Sequence, residues 1–171
     1  FDDGFAINPY MDDRIPVDIP KALAEHAEIK RCFETAGIDV VMVPAPDDCQ
    51  DGVYTANWAL IHGNNALMSN LPNKRKVEEP YAEEILQNLG FEIVNFPEYL
   101  HFSGQGDALP CGRYLFTGTQ YRTSLEVHPF LAQHTGLEVI SLQTIPELDD
   151  AGEPVINAVT GWPDSFFYDL D

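Results

Sequence analysis

Gly90-Phe91-Glu92-Ile93-Val94 is the stretch that decides the architecture. Its pattern of Gly, apolar, acid, apolar, apolar occurs also at Gly37-Ile38-Asp39-Val40-Val41 and at Gly136-Leu137-Glu138-Val139-Ile140. The copies lie 53 and 46 residues apart, and self-similarity at such a period signals an array of like modules around a shared core. Each Gly follows a helical pattern that it would terminate at C′. In the first, Ile19, Leu23, His26, Ile29 and Phe33 share one helical face and Asp18 is placed to cap its start. In the second, Tyr81, Ile85 and Leu89 recur behind Glu78 and Glu79, which suit a helix N-terminus. The third is shorter. Thr123-Ser124-Leu125-Glu126 reads as a capping box, and Pro129 is expected to break or restart the helix.

Working outward, each Gly opens a strand of β-branched and apolar residues, followed by a polar turn with Asp and a second strand pair. Those second strands are expected over Val53 to His62 with Ala66 to Ser69, and over Asp107 to Leu109 with Tyr114 to Thr117. In the third unit the strand is Phe166 to Leu170. The reading is a single α/β domain over 1–171 with modules at roughly 1–65, 66–118 and 119–171. Both ends look cut through structured segments, so the chain is expected to be part of a larger protein.

Nine Lys and Arg against 28 Asp and Glu give a formal net charge of −19. Such a surface repels nucleic acid and anionic lipid and favours small cations. No apolar run approaches the roughly 20 residues of a membrane span. Cys32, Cys49 and Cys111 have neither the even count of a disulfide framework nor metal-type spacing. These features predict a cytoplasmic protein, with no metal and no cofactor.

Three polar loops occupy matching positions: Cys49 to Asn57, Phe102 to Leu109, and Tyr168-Asp169-Leu170-Asp171. Their convergence would gather Asp51, Asn57, Asp107, Asp169 and Asp171 into an anionic pocket suited to a guanidinium. Phe102-Ser103-Gly104-Gln105-Gly106-Asp107 has a different order from a nucleophile elbow, which needs Gly-x-Ser-x-Gly. It also lacks the third Gly and the following helix of a dinucleotide loop. A metal site drawn from His101, Asp107 and His128 has no supporting spacing, and the five His are read as surface or helix-face groups.

Taken together, these motifs resemble the guanidino-group-modifying enzymes of the pentein fold: amidinotransferases, arginine dihydrolases, arginine deiminases and dimethylarginine hydrolases. The motifs are Ile7 to Met11, Asp51-Gly52-Val53-Tyr54-Thr55-Ala56-Asn57, Arg75 with Glu78-Glu79-Pro80, and Gly104-Gln105-Gly106-Asp107. Tyr121-Arg122-Thr123, Glu126-Val127-His128-Pro129 and Tyr168 to Asp171 complete them. The resemblance implies repeated ββαβ modules of the pentein (α/β propeller) fold, with about three of five present. It implies an arginine-like guanidino or ureido substrate bound by Asn8, Asn57, Arg75, Asp107 and Arg122, with Arg75 or Arg122 receiving an α-carboxylate. The family's nucleophilic Cys is expected beyond this chain. The family's Glu position falls on Ser103 and its His position on Asp169, so Ser103, Asp169 and Asp171 are the candidate catalytic residues. The alternative is a non-catalytic pentein scaffold that binds a metabolite or a protein. Self-association or a complementary C-terminal segment is expected to cover the apolar faces.

Overall fold

The computed structural model describes residues 15–44, 49, 52–71, 74–120, 122–146 and 148–156, and the backbone of 167–169. The first helix, α1 (Ile19–Thr35), begins where the sequence places it. The Asp18 side chain accepts from the Lys21 amide at 3.0 Å, and a Pro sits in the first turn. Gly37 follows at φ +79°, the left-handed conformation that ends a helix cheaply only at Gly.

Two copies of one unit follow. In the first, β1 (Ala59–His62) and β2 (Asn65–Met68) form an antiparallel hairpin, α2 (Glu79–Asn88) crosses over, and β3 (Glu92–Val94) returns parallel to β2. The second repeats this with β4 (Ala108–Cys111), β5 (Tyr114–Thr119), α3 (His128–Thr135) and β6 (Glu138–Ile145). β7 (Phe167–Asp169) then adds antiparallel to β6, which gives sheets ordered β1-β2-β3 and β4-β5-β6-β7. Each hairpin turns through two residues, with Gly63 or Gly112 at positive φ. The hairpin strands lie within a residue or two of their expected limits except β1, which begins at Ala59 instead of Val53 because Thr55–Asn57 wind into a 3₁₀ turn.

Strand alternation explains why the first sheet is buried on both sides. Leu60 and Leu67 join Leu100, Phe102, Ala108, Leu115, Val127 and Leu131 in the core between the two sheets, with α3 closing it. Ala59, Ala66 and Met68 point the other way and pack with Trp58, Ala82 and Leu86 under α2. Phe96 bridges Phe102 and Phe130 through edge-on ring contacts at 5.4 and 6.2 Å. The units are tied together at Asn70 and Phe102, which exchange main-chain hydrogen bonds of 2.9 and 3.0 Å.

Two local expectations fail for physical reasons. Residues 38–44 form no strand among the described residues: the Ile38 amide donates to the Phe33 carbonyl of α1, the Pro44 carbonyl accepts from the Tyr81 hydroxyl, and Val41 and Met42 are exposed. The Thr123 to Glu126 capping box does not form either. Ser124 instead accepts from the His101 amide at 3.0 Å, so its hydroxyl links the modules, and Glu126 stays exposed. Pro129 falls in the first turn of α3, where its missing N–H costs nothing, and so it restarts the helix. Among the described residues, no helix is long and apolar enough to cross a membrane.

Candidate active site

Immediately before β1 and β4 the chain makes the same short 3₁₀ turn, at Thr55–Asn57 and at Gly104–Gly106. The two turns pack directly against each other, so the two matching loops converge as their repetition predicts. The approach is close enough to require glycine. At Gly104, which lies at φ +60°, a Cβ would stand 2.7 Å from Ser69 Oγ and 2.8 Å from the Ala56 carbonyl. A Cβ on Gly106 would overlap the Asn57 side-chain nitrogen and lie 3.1 Å from Arg122 Nη2. Gly106 is therefore the gap through which the Asn57 amide and the Arg122 guanidinium approach one another. This accounts for Gly-Gln-Gly without any phosphate to cradle.

A chain of hydrogen bonds runs through this contact. Arg75 binds both carboxylate oxygens of Glu78, through Nε and Nη2, each at 2.8 Å. Its Nη1 donates to Asn57 Oδ1 at 2.7 Å, and Nη2 also reaches the Tyr54 carbonyl at 3.2 Å. Asn57 Nδ2 then donates to the Ser103 carbonyl at 3.1 Å, and Ser103 Oγ donates to the Arg122 carbonyl at 3.0 Å. Trp58 Nε1 donates to Glu78 from behind at 3.3 Å. Asn57, Glu78 and Ser103 are all buried, so these are bonds made away from water, where an unmade partner is costly.

Asp107 ends the second turn and is 5% exposed. Its amide donates to the Gly104 carbonyl, and its own carbonyl accepts from Gly118. The buried His128 lies close by, and its Nε2 meets the Gly118 carbonyl at 3.1 Å. Burial pushes the His128 imidazole below its ordinary pKa. The Gly118 carbonyl and the charges of Asp107 and Glu126 oppose that shift without cancelling it. His128, the first residue of α3, is thus a histidine on the buried face of a helix, not a surface group. Thr117 and Thr123 are fully buried as well.

Of the candidate residues, Asn57, Arg75, Ser103, Asp107 and Arg122 come together around the two turns. Asn8, Asp51 and Asp171 lie outside the described residues, and Asp169 is described only as backbone at the end of β7, paired with Gln143. Glu78 is the residue that sequence reading missed: it looked like a helix-dipole acid, but it makes no cap bond and pairs with Arg75. The available signal was the i, i+3 spacing of Arg75 and Glu78 at a helix start.

Cys111 is exposed and sits at the opposite end of β4 from Asp107, about 13 Å along the chain at the usual strand rise. Among the described residues no three His, Cys, Asp or Glu side chains are grouped to hold a metal. A groove of about 480 Å³ runs beside α2 and reaches the two turns, lined by Val41, Trp58 and Ile85 and, from the turns, by Thr55, Ala56 and Gln105. None of Asn57, Arg75, Asp107 or Arg122 lines it.

Comparison with known proteins matches residues 7–155 to the eukaryotic N,N dimethylarginine dimethylhydrolase family. The bifunctional arginine dihydrolase/ornithine cyclodeaminase ArgZ of Synechocystis sp. is 36% identical over 155 residues, which cover 86% of this chain and 21% of that one. The N(G),N(G)-dimethylarginine dimethylaminohydrolase of Mycobacterium tuberculosis is 29% identical over 143 residues, 82% of this chain and 46% of the other. Among solved structures, the N-terminal domain of ArgZ, a cyanobacterial arginine dihydrolase, superposes with a TM-score of 0.70 at 35% identity. That structure is of a cysteine-to-serine mutant bound to substrate, and the match covers 84% of this chain and 54% of the domain. The chain therefore spans about a fifth of the bifunctional relative and about half of the solved domain.

Proposed function

We propose that this chain, which belongs to the N,N dimethylarginine dimethylhydrolase family of pentein-fold proteins, forms part of a site for an arginine-like guanidino or ureido substrate. The observation that carries the reading is the junction of the two turns, where Asn57, Asp107 and Arg122 meet around Gly106. A carboxylate and an amide oxygen are acceptors matched to the fixed N–H fork of a guanidinium, and an arginine complements an α-carboxylate. In this reading Asn8, Asn57, Arg75, Asp107 and Arg122 bind substrate. Arg122 receives the α-carboxylate, because Arg75 already donates to Glu78, Asn57 and Tyr54.

The chemistry proposed is cleavage of a guanidino C–N bond by a hydrolase or an amidinotransferase. A thiolate adds to the guanidinium carbon, the amine leaves with a proton, and water or a second amine releases the carbon group. Cys111 is at the wrong end of β4 for this role, and the family resemblance assigns the nucleophile to a Cys of the last module of the full domain, beyond Asp171. Asp169, Asp171 and Ser103 are proposed to act around the leaving group.

A second reading, a non-catalytic scaffold, is favoured by one observation. Ser103 stands where the resemblance places a Glu, and its hydroxyl is spent on the Arg122 carbonyl. Thermal-shift titration of the longest native chain with arginine, agmatine and ornithine tests both readings, alongside citrulline and ammonia release. Binding with turnover is expected; binding without turnover selects the scaffold, and neither sinks the substrate reading.

The proposal includes a covering surface, either a second copy or a complementary segment. It rests on apolar side chains open to solvent at Ile19, Leu23 and Ile29 of α1 and at Leu109 of β4. Light scattering at micromolar concentration is expected to show self-association of the isolated 171 residues, and a clean monomer would remove that part.

A further inference from the structure

We propose that Glu78 is a positioning residue for this site: it fixes Arg75, and through Arg75 it sets the orientation of the Asn57 amide. Glu78 is 1% exposed, the most buried carboxylate among the described residues. It closes the 3₁₀ stretch Lys74–Glu78 ahead of α2, yet its side chain caps no helix amide. Both oxygens go to one guanidinium, with Nε on Oε1 and Nη2 on Oε2 at 2.8 Å, a planar two-bond fork that leaves Arg75 little rotational freedom. The fork aims the remaining Nη1 at Asn57 Oδ1, 2.7 Å away.

An Asn side chain can place its oxygen and nitrogen either way round. Here a donor fixed at Oδ1 and the Ser103 carbonyl at Nδ2 permit only one orientation. A flipped amide would set its NH₂ against the Arg75 N–H and its oxygen against the Ser103 carbonyl. The charge of Glu78 thus reaches the substrate side through two other residues, and it offsets the burial of the Arg75 cation, which is 15% exposed. The consequence for binding rests on the reading in which Asn57 contacts the ligand; the orientation of the amide does not.

The experiment separates these two parts. In ¹⁵N NMR of the full native chain, the Asn57 side-chain amide is expected to shift and to lose protection from exchange in Glu78→Gln. Arginine affinity measured by calorimetry is expected to fall at least about tenfold, the effect of one lost charge-assisted bond. Arg75→Lys keeps the charge without the fork and should give the same Asn57 signature if Glu78→Gln does not fold. Trp58→Phe removes only the bond from behind Glu78. It should lower Tm while leaving the Asn57 amide in place and affinity within about twofold. An unchanged Asn57 amide in Glu78→Gln or Arg75→Lys, or an equal shift in Trp58→Phe, overturns the proposal. Absence of arginine binding by the unmutated chain overturns the substrate reading instead, and the amide comparison still decides the role of Glu78.

Discussion

Helices α1 and α3 differ in opposite directions on two scales. α1 has 17 residues, a side-chain cap and three intrahelical ion pairs, Lys21–Glu25, Arg31–Glu28 and Lys30–Glu34. None of its residues is buried. α3 has 8 residues and no side-chain cap bond, yet it buries His128, Leu131 and Thr135 between the sheets. Local signals are strongest where tertiary packing is weakest. A short helix held by its neighbours can do without caps and ion pairs, whereas one exposed on all faces depends on them.

The sharpest way to break this comparison is to truncate one apolar side chain in each setting. Phe102, fully buried in the core that α3 closes, should cost about 3–5 kcal/mol when changed to Ala. Leu23→Ala on α1, where the side chain is 62% exposed, should change stability by less than about 0.5 kcal/mol. Urea unfolding measures both, and similar losses would mean that α1 is packed after all. Next in size is Gly106→Ala. Its Cβ would press on Asn57 and Arg122, at about 1–3 kcal/mol for overpacking, with weakened arginine binding. Gly63→Ala has open space around it but φ +59°, so it should cost about 1 kcal/mol and leave binding alone. If the two glycine variants bound arginine equally well, the turn junction would not be the site.

The same contrast explains how much was legible in the sequence. The Asp18 cap and the glycine at the end of each helix are local rules, and they could be read directly. The fold class was legible too, because the repeat of Gly90 to Val94 reports modules and the motif order resembles a known family. Three features were not legible because they are settled by distant partners. Residues 38–44 read as a strand, but a strand needs an edge to pair with. Thr123 to Glu126 read as a capping box, but the Thr123 side chain is buried in the fold and Ser124, at the cap position, accepts from the His101 amide. Glu78 read as a dipole acid, and only the fold brings Trp58 beside it, across 20 residues of sequence. At the site, the polar loops could be recognised by recurrence and the Arg75–Glu78 pair by its i, i+3 spacing, whereas the reach of Arg75 to Asn57, across 18 residues of sequence, depends on the fold.

Two smaller effects refine the comparison of α1 with α3. Asp18→Ala removes the cap of a helix that nothing buries, and should cost α1 about 1 kcal/mol. Amide exchange is the measurement, because a helix outside the core can fray without global unfolding. The first turn should exchange faster while the Leu131 amide in α3 is untouched; matched acceleration in both would show that the two helices unfold together.

For α3 the equivalent handle is titration of His128, whose folded-state pKa is depressed, first by burial. The sign follows from proton counting. Above the ordinary imidazole pKa of about 6.5 both states are neutral and the group contributes nothing to the pH dependence. Below it the unfolded chain takes up a proton before the folded one does, so stability falls as pH drops through 6.5 toward the lower folded value. His128→Gln keeps a donor for the Gly118 carbonyl but cannot titrate, so its Tm should fall less steeply between pH 7 and 5 than that of the unmutated chain. Asp107 and Glu126 favour the charged imidazole, so their charges make this the smallest of the expected effects. Identical slopes would mean that His128 binds its proton equally well in the folded and unfolded chain, with the cost of burial fully offset by the Gly118 carbonyl and the charges of Asp107 and Glu126. The start of α3 would then tolerate a charge as the exposed faces of α1 do, and the difference between the two helices would narrow to apolar burial.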